Sequence, residues 1–409
     1  MSKLIGDRKQ KNFFRIVSVA FLTCLICLLK PPAPGRGVEP AATMTSTKSE
    51  PADESSIVTT EPENLTDAKE PEDKAVLSNK VKEVPVRGIY VTGPVAGSEK
   101  KMKDLVSLIE TTKLNAMVID VKNDSGEITY KMDYEEAKEA GAIRSYISNM
   151  PSMIKELKAK NIYLIARIVT FKDPILAESN LDYSIKNKDG SVFRDNQGLA
   201  WLNPYNRQVW KYVLNVAARA AAIGFDEIQF DYIRFPTSKG MEQVTYGPEE
   251  NLLTRQEVIT QFTQCVSDFL KARGVKVSAD VFGGIISSEI DSQNIGQDYE
   301  KMAQHLDYIS PMIYPSQFAN GCYGVDNPDA SPYEIVYRTL KDSQLKLEHN
   351  KDVVVRPWLQ DFTATWLANH VTYDAEKIRS QIDAVYASGY DEWILWNASN
   401  RYTIGGLPQ

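Results

Sequence analysis

The sequence predicts an α/β protein whose folded part is a single (β/α)8 TIM barrel, preceded by an N-terminal hydrophobic segment and a disordered linker. Three observations predict this fold. Eight apolar segments of strand length alternate with amphipathic stretches of helical length, as in parallel βα units. No glycine-rich phosphate loop follows the first strand. Long polar stretches follow strands two to four, at the face where barrel enzymes build their sites.

The N-terminal segment, residues 1–30, combines a basic start with a hydrophobic run. Residues from Lys3 to Arg15 are rich in lysine and arginine, and Ile16 to Leu29 are mostly apolar. A run of this length is typical of a signal-peptide core and is short for a membrane span. We therefore expect a signal peptide or membrane anchor, and an extracytoplasmic protein that is membrane-anchored or secreted. Contact with the membrane is expected only through this segment.

Residues 31–82 form the predicted linker. They are rich in Pro, Ala, Thr, Ser, Glu and Lys and have almost no aromatic or large aliphatic residues. Such a segment cannot bury enough surface to offset the entropy lost on ordering. The sequence therefore predicts a disordered tether, with the barrel domain at residues 83–409.

The eight predicted strands are apolar, and each is followed by a polar or helical stretch. They are Val86–Gly93, Ala116–Asn123, Ile162–Phe171, Phe225–Pro236, Lys276–Gly284, Asp307–Ser316, Asp352–Phe362 and Asp391–Ser399. A doubly wound open sheet is the alternative fold. It would normally carry a G-x-G-x-x-G loop after strand one, and the segment from Val91 to Gly97 lacks that spacing. Eight units in one block favour the closed barrel.

Amphipathic stretches between these strands predict the helices, and several end in Gly or Asn just before the next strand, as helix C-termini prefer. The predicted helices are Glu99–Lys113, Ser145–Lys160, Tyr205–Ile223, Thr254–Arg273, Ser331–Leu347 and Tyr373–Ser388. The long polar stretches are Asp124–Arg144, Asp173–Asn203 and Ser238–Asn251. These stretches place the longest loops on the predicted active face.

The amino-acid composition argues against several kinds of binding site and chemistry. The formal net charge of −7 gives no basic footprint for nucleic-acid binding. Cys24 and Cys27 lie in the hydrophobic segment, so only Cys265 and Cys322 belong to the folded part, and neither a disulfide framework nor a zinc site is indicated. The three histidines, His305, His349 and His370, have no metal-binding spacing. Carboxylates must therefore carry any acid/base chemistry.

Side-chain alternation identifies the residues that face the barrel interior. Along predicted strand four, Ile228 and Phe230 alternate with Glu227, Gln229 and Asp231. Since successive strand residues point to opposite faces, the polar set faces inward and Asp231 lies nearest the C-terminal mouth. Asp231 is therefore the strongest catalytic candidate, whereas Glu227 is expected to fill a layer near the bottom of the barrel.

The same alternation places residues of other strands inside the barrel, and several carboxylates among them converge on one mouth. The residues are Asp120, Lys122, Arg167, Ser278, Asp280, Met312, Tyr314, Arg356, Trp358 and Gln360. Glycoside hydrolysis needs one protonated and one ionised carboxyl group flanking the scissile bond. We predict Asp231 as nucleophile or base and Asp280, on the adjacent strand, as proton donor. The structural alternative for each aspartate is an ion pair with Arg167 or Arg234, or a helix cap.

Aromatic residues near the strand ends suggest a carbohydrate ligand, because flat apolar sugar faces stack on such rings. Trp358 and Trp396 are the predicted platforms, whereas Trp393 is expected to pack against the last helices. The predicted substrate-binding residues are Asp120, Arg167, Gln229, Arg234, Tyr314, Trp358, Gln360 and Trp396.

Three segments carry a family resemblance: Val86–Gly93, Ala116–Asn123 and Gly224–Pro236. Together they resemble a bacterial family of glycosyl hydrolase domains of unknown function, a glycoside hydrolase-like TIM barrel. The resemblance runs from about Val84 to the C-terminus, and its most specific part is F-D-x-I-Q-F-D-Y-I-R-F-P. It implies carbohydrate cleavage, and it carries over to Asp231 and then to Arg234 and Asp120. The mouth of strand five has no glutamate, so the acid would be Asp280 or a loop residue such as Glu127 or Asp173.

The sequence thus predicts a glycosidase that cleaves a cell-wall or extracellular polysaccharide, without a cofactor or metal. The alternative is a non-catalytic carbohydrate-binding barrel at the cell envelope, since fold alone does not fix function. A metal-dependent deacetylase is disfavoured by the few histidines.

Overall fold

Eight parallel strands close into a barrel in the computed structural model, which describes residues 84–409. In chain order they are β1 (Arg87–Val91), β2 (Ala116–Lys122), β3 (Tyr163–Val169), β4 (Glu227–Asp231), β5 (Lys276–Phe282), β6 (Tyr308–Ile313), β7 (Trp358–Gln360) and β8 (Trp393–Trp396). Each strand pairs in parallel with its sequence neighbours, and β1 pairs with both β2 and β8. The predicted (β/α)8 barrel is confirmed.

Helices follow the strands around the barrel. The α-helices are Gly93–Ala96, Glu99–Glu110, Glu135–Glu139, Met150–Lys158, Pro174–Ser179, Arg207–Ala222, Arg255–Lys271, Glu289–Ile295, Tyr299–Ala303, Pro332–Lys346 and Ala375–Ala387. Short 3-10 turns occupy Leu181–Tyr183, Met241–Gln243, Pro248–Asn251, Gly283–Ile286, Pro315–Gln317, Cys322–Gly324, Pro328–Ala330 and Ile404–Gly406.

Short strands extend the sheet at the loops. Ile128–Tyr130 runs antiparallel to β2, and Ile143–Ile147 runs parallel to Ile128–Tyr130. Val354–Val355 pairs with β6, and Lys186–Asn187 pairs with Val244–Thr245 in a separate small sheet.

One predicted helix begins later than expected. The sequence predicts a helix over Ser145–Lys160, but Ser145 lies in a short strand and the helix starts at Met150. The Asn149 side chain accepts a hydrogen bond from the backbone N–H of Ser152, and a proline stands in the first turn. Because both features favour a helix N-terminus, they fix the start after the apolar pattern has already begun.

Every barrel strand is covered on both faces, so the hydrophobic core consists of two layers, one outside and one inside the barrel. A large cluster lies between the strands and the helices and includes Ile89, Ile119, Ile228 and Phe230. A smaller cluster fills the barrel interior. Its buried members are Val86, Tyr90, Ala116, Val118, Ile165, Tyr314, Trp358 and Ile394. The barrel is therefore a packed core, and reactive groups are accommodated only at its ends.

A buried ion pair occupies the N-terminal end of the barrel interior. Arg356 Nη1 lies 2.9 and 3.0 Å from the two carboxylate oxygens of Glu227, and its Nε donates to Glu392 at 2.7 Å. The Tyr163 hydroxyl also donates to Glu227, at 3.1 Å. Glu227 is thus a structural residue at the bottom of the barrel, as the alternation predicted.

Replacing Arg356 with methionine is expected to lower the free energy of unfolding by about 3–5 kcal/mol, because it leaves the Glu227 carboxylate buried without its cation. Urea denaturation of the wild type and the variant measures the loss. The matched control is the double variant Glu227→Gln, Arg356→Met, which has no unpaired charge between these two positions and should recover part of the stability. A loss near zero in the single variant would contradict this account.

The predicted N-terminal segment (1–30) and linker (31–82) lie outside the described residues. Within residues 84–409, no helix has both the length and the apolarity needed to cross a membrane.

Candidate active site

Asp231 and Asp280 lie at the mouth of the barrel on neighbouring strands. In the register of β4 and β5, Gln229 pairs with Ser278 and Phe230 pairs with Ala279. Asp231 and Asp280 each follow two residues after the first of these pairs, so they lie at the same level and face the same side. Asp231 is 5% exposed and Asp280 1%. The structure therefore brings the two predicted catalytic carboxyl groups together in a nearly dry setting.

Arg167 on β3 holds three carboxylates. Its Nε and Nη2 donate to Asp231 Oδ2 at 3.0 and 2.6 Å, its Nη1 donates to Asp120 at 2.7 Å, and its Nη2 also donates to Asp124 at 2.8 Å. These are short charge-assisted bonds, and Arg167 itself is buried. The guanidinium therefore fixes the position of the Asp231 carboxylate at the mouth. Asp124 lies in the loop after β2, and sequence reasoning gave it no role.

Asp120 links Arg167 to Tyr90. The Tyr90 hydroxyl donates to Asp120 Oδ2 at 2.5 Å. Burial raises the pKa of Asp120 to about 6, although Arg167 and the Tyr90 hydroxyl both oppose this rise. Asp120 is thus a positioning group for Arg167 with a titration close to neutral pH.

Replacing Tyr90 with phenylalanine is expected to raise the pKa of Asp120 further above its value of about 6, because the lost hydroxyl stabilises the ionised carboxylate. Carbon-13 NMR of the side-chain carboxyl groups across pH 4–9 measures this change. Asp120→Asn identifies the resonance. An unchanged or lower pKa in the variant would show that the Tyr90 hydroxyl does not stabilise the anion.

Asp280 has an environment that favours the protonated carboxyl group. Burial is the main cause that raises the pKa of Asp280 well above its ordinary value, and the negative charge of Asp231 raises this pKa further. Trp358 Nε1 donates to Asp280 Oδ1 at 2.7 Å. The other oxygen, Oδ2, is buried and has no hydrogen-bond partner among the described residues. Asp280 can therefore keep a proton on an oxygen that no protein group occupies.

The aromatic residues of the mouth have different environments. Trp396 is half-buried and stacks on Tyr90, with ring centroids 4.0 Å apart. Tyr314 is buried and meets Phe362 edge to face. Trp358 is only 1% exposed and contacts Tyr90 and Trp396 through T-shaped packing. Trp358 therefore offers no free face to a sugar, which corrects its prediction as a stacking platform. The contribution seen in the structure is the hydrogen bond to Asp280.

The residues predicted to make polar contacts with the substrate also have different environments. Gln229 is buried one layer below Asp231 and donates to Ser310 Oγ at 3.2 Å. Arg234 is half-buried just beyond the end of β4. Gln360 is fully buried, and its side chain bonds to Ser316, Asp329 and Phe362. Since both ends of its amide are engaged, Gln360 supports the loops after β6 and β7 and does not face the opening, contrary to its prediction as a substrate contact.

The alternative loop acids are engaged elsewhere. Glu127 accepts hydrogen bonds from Arg144, Asn123 and Tyr146. Asp173 pairs with the buried ammonium of Lys122 at 2.9 Å and caps the helix Pro174–Ser179. Both have structural partners, so Asp280 remains the candidate acid. Trp393 donates to the Tyr386 hydroxyl of the last helix, as predicted.

Two features of the mouth could not be predicted from the sequence. Tyr232, directly after Asp231, has a left-handed backbone with φ of 51°, which costs energy for a residue other than glycine. Its N–H donates to Asp231 Oδ1 at 2.6 Å. Lys172, three residues after the end of β3, is buried beside the Tyr232 ring. A loop lysine and a left-handed tyrosine follow no period that sequence reasoning could use.

No group of His, Cys, Asp and Glu side chains in residues 84–409 has the arrangement of a metal site. Cys265 and Cys322 are both free thiols.

A family model described as "Putative glycosyl hydrolase domain" matches residues 88–402, which include seven of the barrel strands in full and all of β1 except Arg87. The chain belongs to this family. The glycosyl hydrolase domain therefore spans the whole barrel together with the mouth that holds Asp231 and Asp280. No curated protein matches the chain.

Solved structures similar to this glycosyl hydrolase domain include two of note. A hypothetical protein from Ruminiclostridium thermocellum ATCC 27405 is 36% identical, with 47% of this chain and 97% of that chain covered and a TM-score of 0.44. The PgaB (BpsB) glycoside hydrolase domain from Bordetella bronchiseptica is 11% identical, with 76% and 94% covered and a TM-score of 0.56. At that identity the second likeness concerns the fold alone.

Proposed function

We propose that this protein is a glycosidase that cleaves a cell-wall or extracellular polysaccharide by carboxylate acid/base catalysis. One observation carries the proposal. Asp280 has a raised pKa and an oxygen with no hydrogen-bond partner among the described residues, and it lies beside Asp231, which is ion-paired with Arg167. A protonated carboxyl next to an ionised one is the pair that glycoside hydrolysis requires.

The proposed reaction assigns one role to each carboxyl group. Asp280 gives its proton to the glycosidic oxygen as the bond between that oxygen and the anomeric carbon breaks. Asp231 attacks the anomeric carbon, and water, deprotonated by Asp280, then cleaves the glycosyl ester. Neighbouring parallel strands lie about 4.8 Å apart, which favours the short carboxyl separation of roughly 5–5.5 Å used by retaining enzymes. We therefore expect retention of anomeric configuration.

The proposed location rests on the sequence of residues 1–82. A basic, hydrophobic start followed by a polar tether suits an exported enzyme that reaches glycans outside the membrane. The wall or capsule is therefore the proposed source of substrate.

The test is release of reducing ends from a panel of bacterial wall and capsule polysaccharides by the full-length protein. The double variant Asp231→Asn, Asp280→Asn is the blank, because activity that persists in it comes from another enzyme or another site. Release by the wild type alone supports a glycosidase. Polysaccharide binding without release by either protein would favour the non-catalytic carbohydrate-binding barrel.

A further inference from the structure

Two cations flank the aromatic ring next to Asp231. Lys172 Nζ lies 4.8 Å from the centroid of the Tyr232 ring, and the guanidinium carbon of Arg234 lies 5.1 Å from it. The backbone N–H of Phe171 donates to the Tyr232 carbonyl at 3.2 Å, so the loop carrying Lys172 is fastened to the end of β4. The two positive charges are therefore held at a fixed place at the mouth of the barrel.

Neither cation has a carboxylate partner within residues 84–409, whereas Arg167 has three. Lys172 is 6% exposed, and its ammonium makes no hydrogen bond or ion pair with any described residue. Arg234 makes one side-chain hydrogen bond, from Nη1 to the Phe235 carbonyl at 2.9 Å. The stem of Lys172 is buried but its ammonium keeps access to solvent, and Arg234 is half-buried, so a ligand at the mouth can reach both charges. Neither charge has an anionic partner among the described residues, which suits the binding of an anion.

The nearby acidic residues, Asp124 and Asp195, pair with other groups and not with Lys172 or Arg234. Asp124 is paired with Arg167. Asp195 accepts hydrogen bonds from the indole N–H of Trp201 and from two backbone N–H groups. Burial alone lowers the pKa of Lys172, but Tyr232 and Asp124 outweigh burial and hold that pKa above its usual value. Lys172 therefore stays charged, and its charge repels that of Arg234.

The backbone conformation of Tyr232 supports a functional role for the cluster formed by Lys172, Tyr232 and Arg234. Its left-handed conformation is strained, and strained residues of this kind cluster at active sites and ligand-binding segments. The conformation sets the tyrosine ring between β4 and the Lys172 loop, one residue from Asp231. A group bound here would therefore lie beside the scissile bond.

We propose that Lys172 and Arg234, together with the Tyr232 ring, form a subsite for an anionic substituent of the glycan, a carboxylate or a phosphate, next to the cleavage point. The anion relieves the repulsion between the two cations and supplies the anionic partner that neither has among the described residues. This inference rests on the proposed glycosidase function and narrows its substrate to acidic glycans.

The test compares matched pairs of glycans with the full-length protein. A uronic-acid polysaccharide is compared with its carboxyl-reduced form, and a sugar-phosphate polymer with its dephosphorylated form. The preferred acidic glycan should show a kcat/KM roughly tenfold or more above its neutral counterpart, the usual size of a charge-assisted contact. Which pair shows the preference identifies the anion.

Substitutions of Lys172 and Arg234 test whether the preference for acidic glycans arises from these two cations. Lys172→Met keeps most of the buried stem and should lower the ratio of acidic to neutral kcat/KM roughly tenfold. Lys172→Arg should retain most of the ratio. Lys239→Met removes an exposed lysine from the loop after β4 and is the matched control, with an unchanged ratio expected. Should Lys172→Met fail to fold, Arg234→Gln supplies the second measurement.

Binding to Asp231→Asn by calorimetry separates this inference from the proposed function. If no glycan is hydrolysed but the acidic glycans bind in a Lys172-dependent manner, the hydrolase proposal fails and the subsite stands. If glycans are hydrolysed with equal kcat/KM in both members of each pair, the subsite proposal is overturned and the hydrolase proposal stands. Equal binding of acidic and neutral glycans also overturns it.

Discussion

Replacing Asp280 with asparagine is expected to slow hydrolysis of natural glycans by roughly 10²–10⁴-fold, the contribution of a positioned general acid. The sugar alkoxide is a poor leaving group, and without the Asp280 proton it must depart with its negative charge unrelieved. Asparagine keeps the size of the side chain and can still accept the hydrogen bond from Trp358. The expected loss is therefore chemical, with the fold retained.

The dependence on the leaving group measures this role. Aryl glycosides with acidic phenols need little protonation, so kcat/KM of Asp280→Asn should fall far less for them than for natural glycans. Wild-type activity should decline as pH rises through the raised pKa of Asp280, and this decline should disappear in the variant. Asp383→Asn, on the exposed face of the last helix, is the control. Equal losses for both substrate classes would rule out a general acid at this position.

Replacing Asp231 with asparagine is expected to reduce turnover by roughly 10⁴-fold or more, as for other residues that attack or activate the attacking group. A neutral amide can neither attack the anomeric carbon nor take a proton from water. Arg167 would keep its bonds to Asp120 and Asp124, so it would not be left as a buried unpaired cation. We therefore expect a melting temperature close to that of the wild type.

Proton NMR of the first wild-type product assigns the role of Asp231. A product with the same anomeric configuration as the substrate identifies Asp231 as nucleophile, and the opposite configuration identifies it as the base for water. More than a tenth of wild-type turnover in a folded Asp231→Asn would remove Asp231 from the catalytic centre in either case.

The barrel is predictable from sequence because its signals are local and repeated. A strand such as Ala116–Lys122 is buried along its whole length, as a parallel strand covered on both faces must be. Alternation within Glu227–Asp231 then separates the interior residues from those under the helices. The start of the helix at Met150 was missed since a cap and a proline set it, against an apolar pattern that begins earlier.

The position of the site is more predictable from the sequence than the role of each residue in it. Alternation placed Asp120, Arg167, Asp231 and Asp280 at one mouth, and the structure brings these side chains together. It did not distinguish a residue facing the opening from one engaged within the protein, as with Gln360 and Trp358. That distinction depends on side-chain partners from distant segments.

The loop contributions were beyond prediction for a different reason. Asp124 and Lys172 follow the ends of strands, where no period relates sequence position to direction. The left-handed turn at Tyr232 occurs at a residue type that rarely adopts it, so composition gives no warning.

The buried carboxyl groups at the mouth also couple the stability of the barrel to acidity. A carboxyl whose pKa is higher in the folded than in the unfolded state contributes stability that is complete below its unfolded pKa and is lost as pH rises through its folded pKa. For Asp120 this window runs from pH 3.8 to about 6, and the contribution is on the order of 3 kcal/mol. Asp280 acts with the same sign over a window that extends higher. Asp120 and Asp280 thus make the fold more resistant to unfolding in a mildly acidic medium than in an alkaline one.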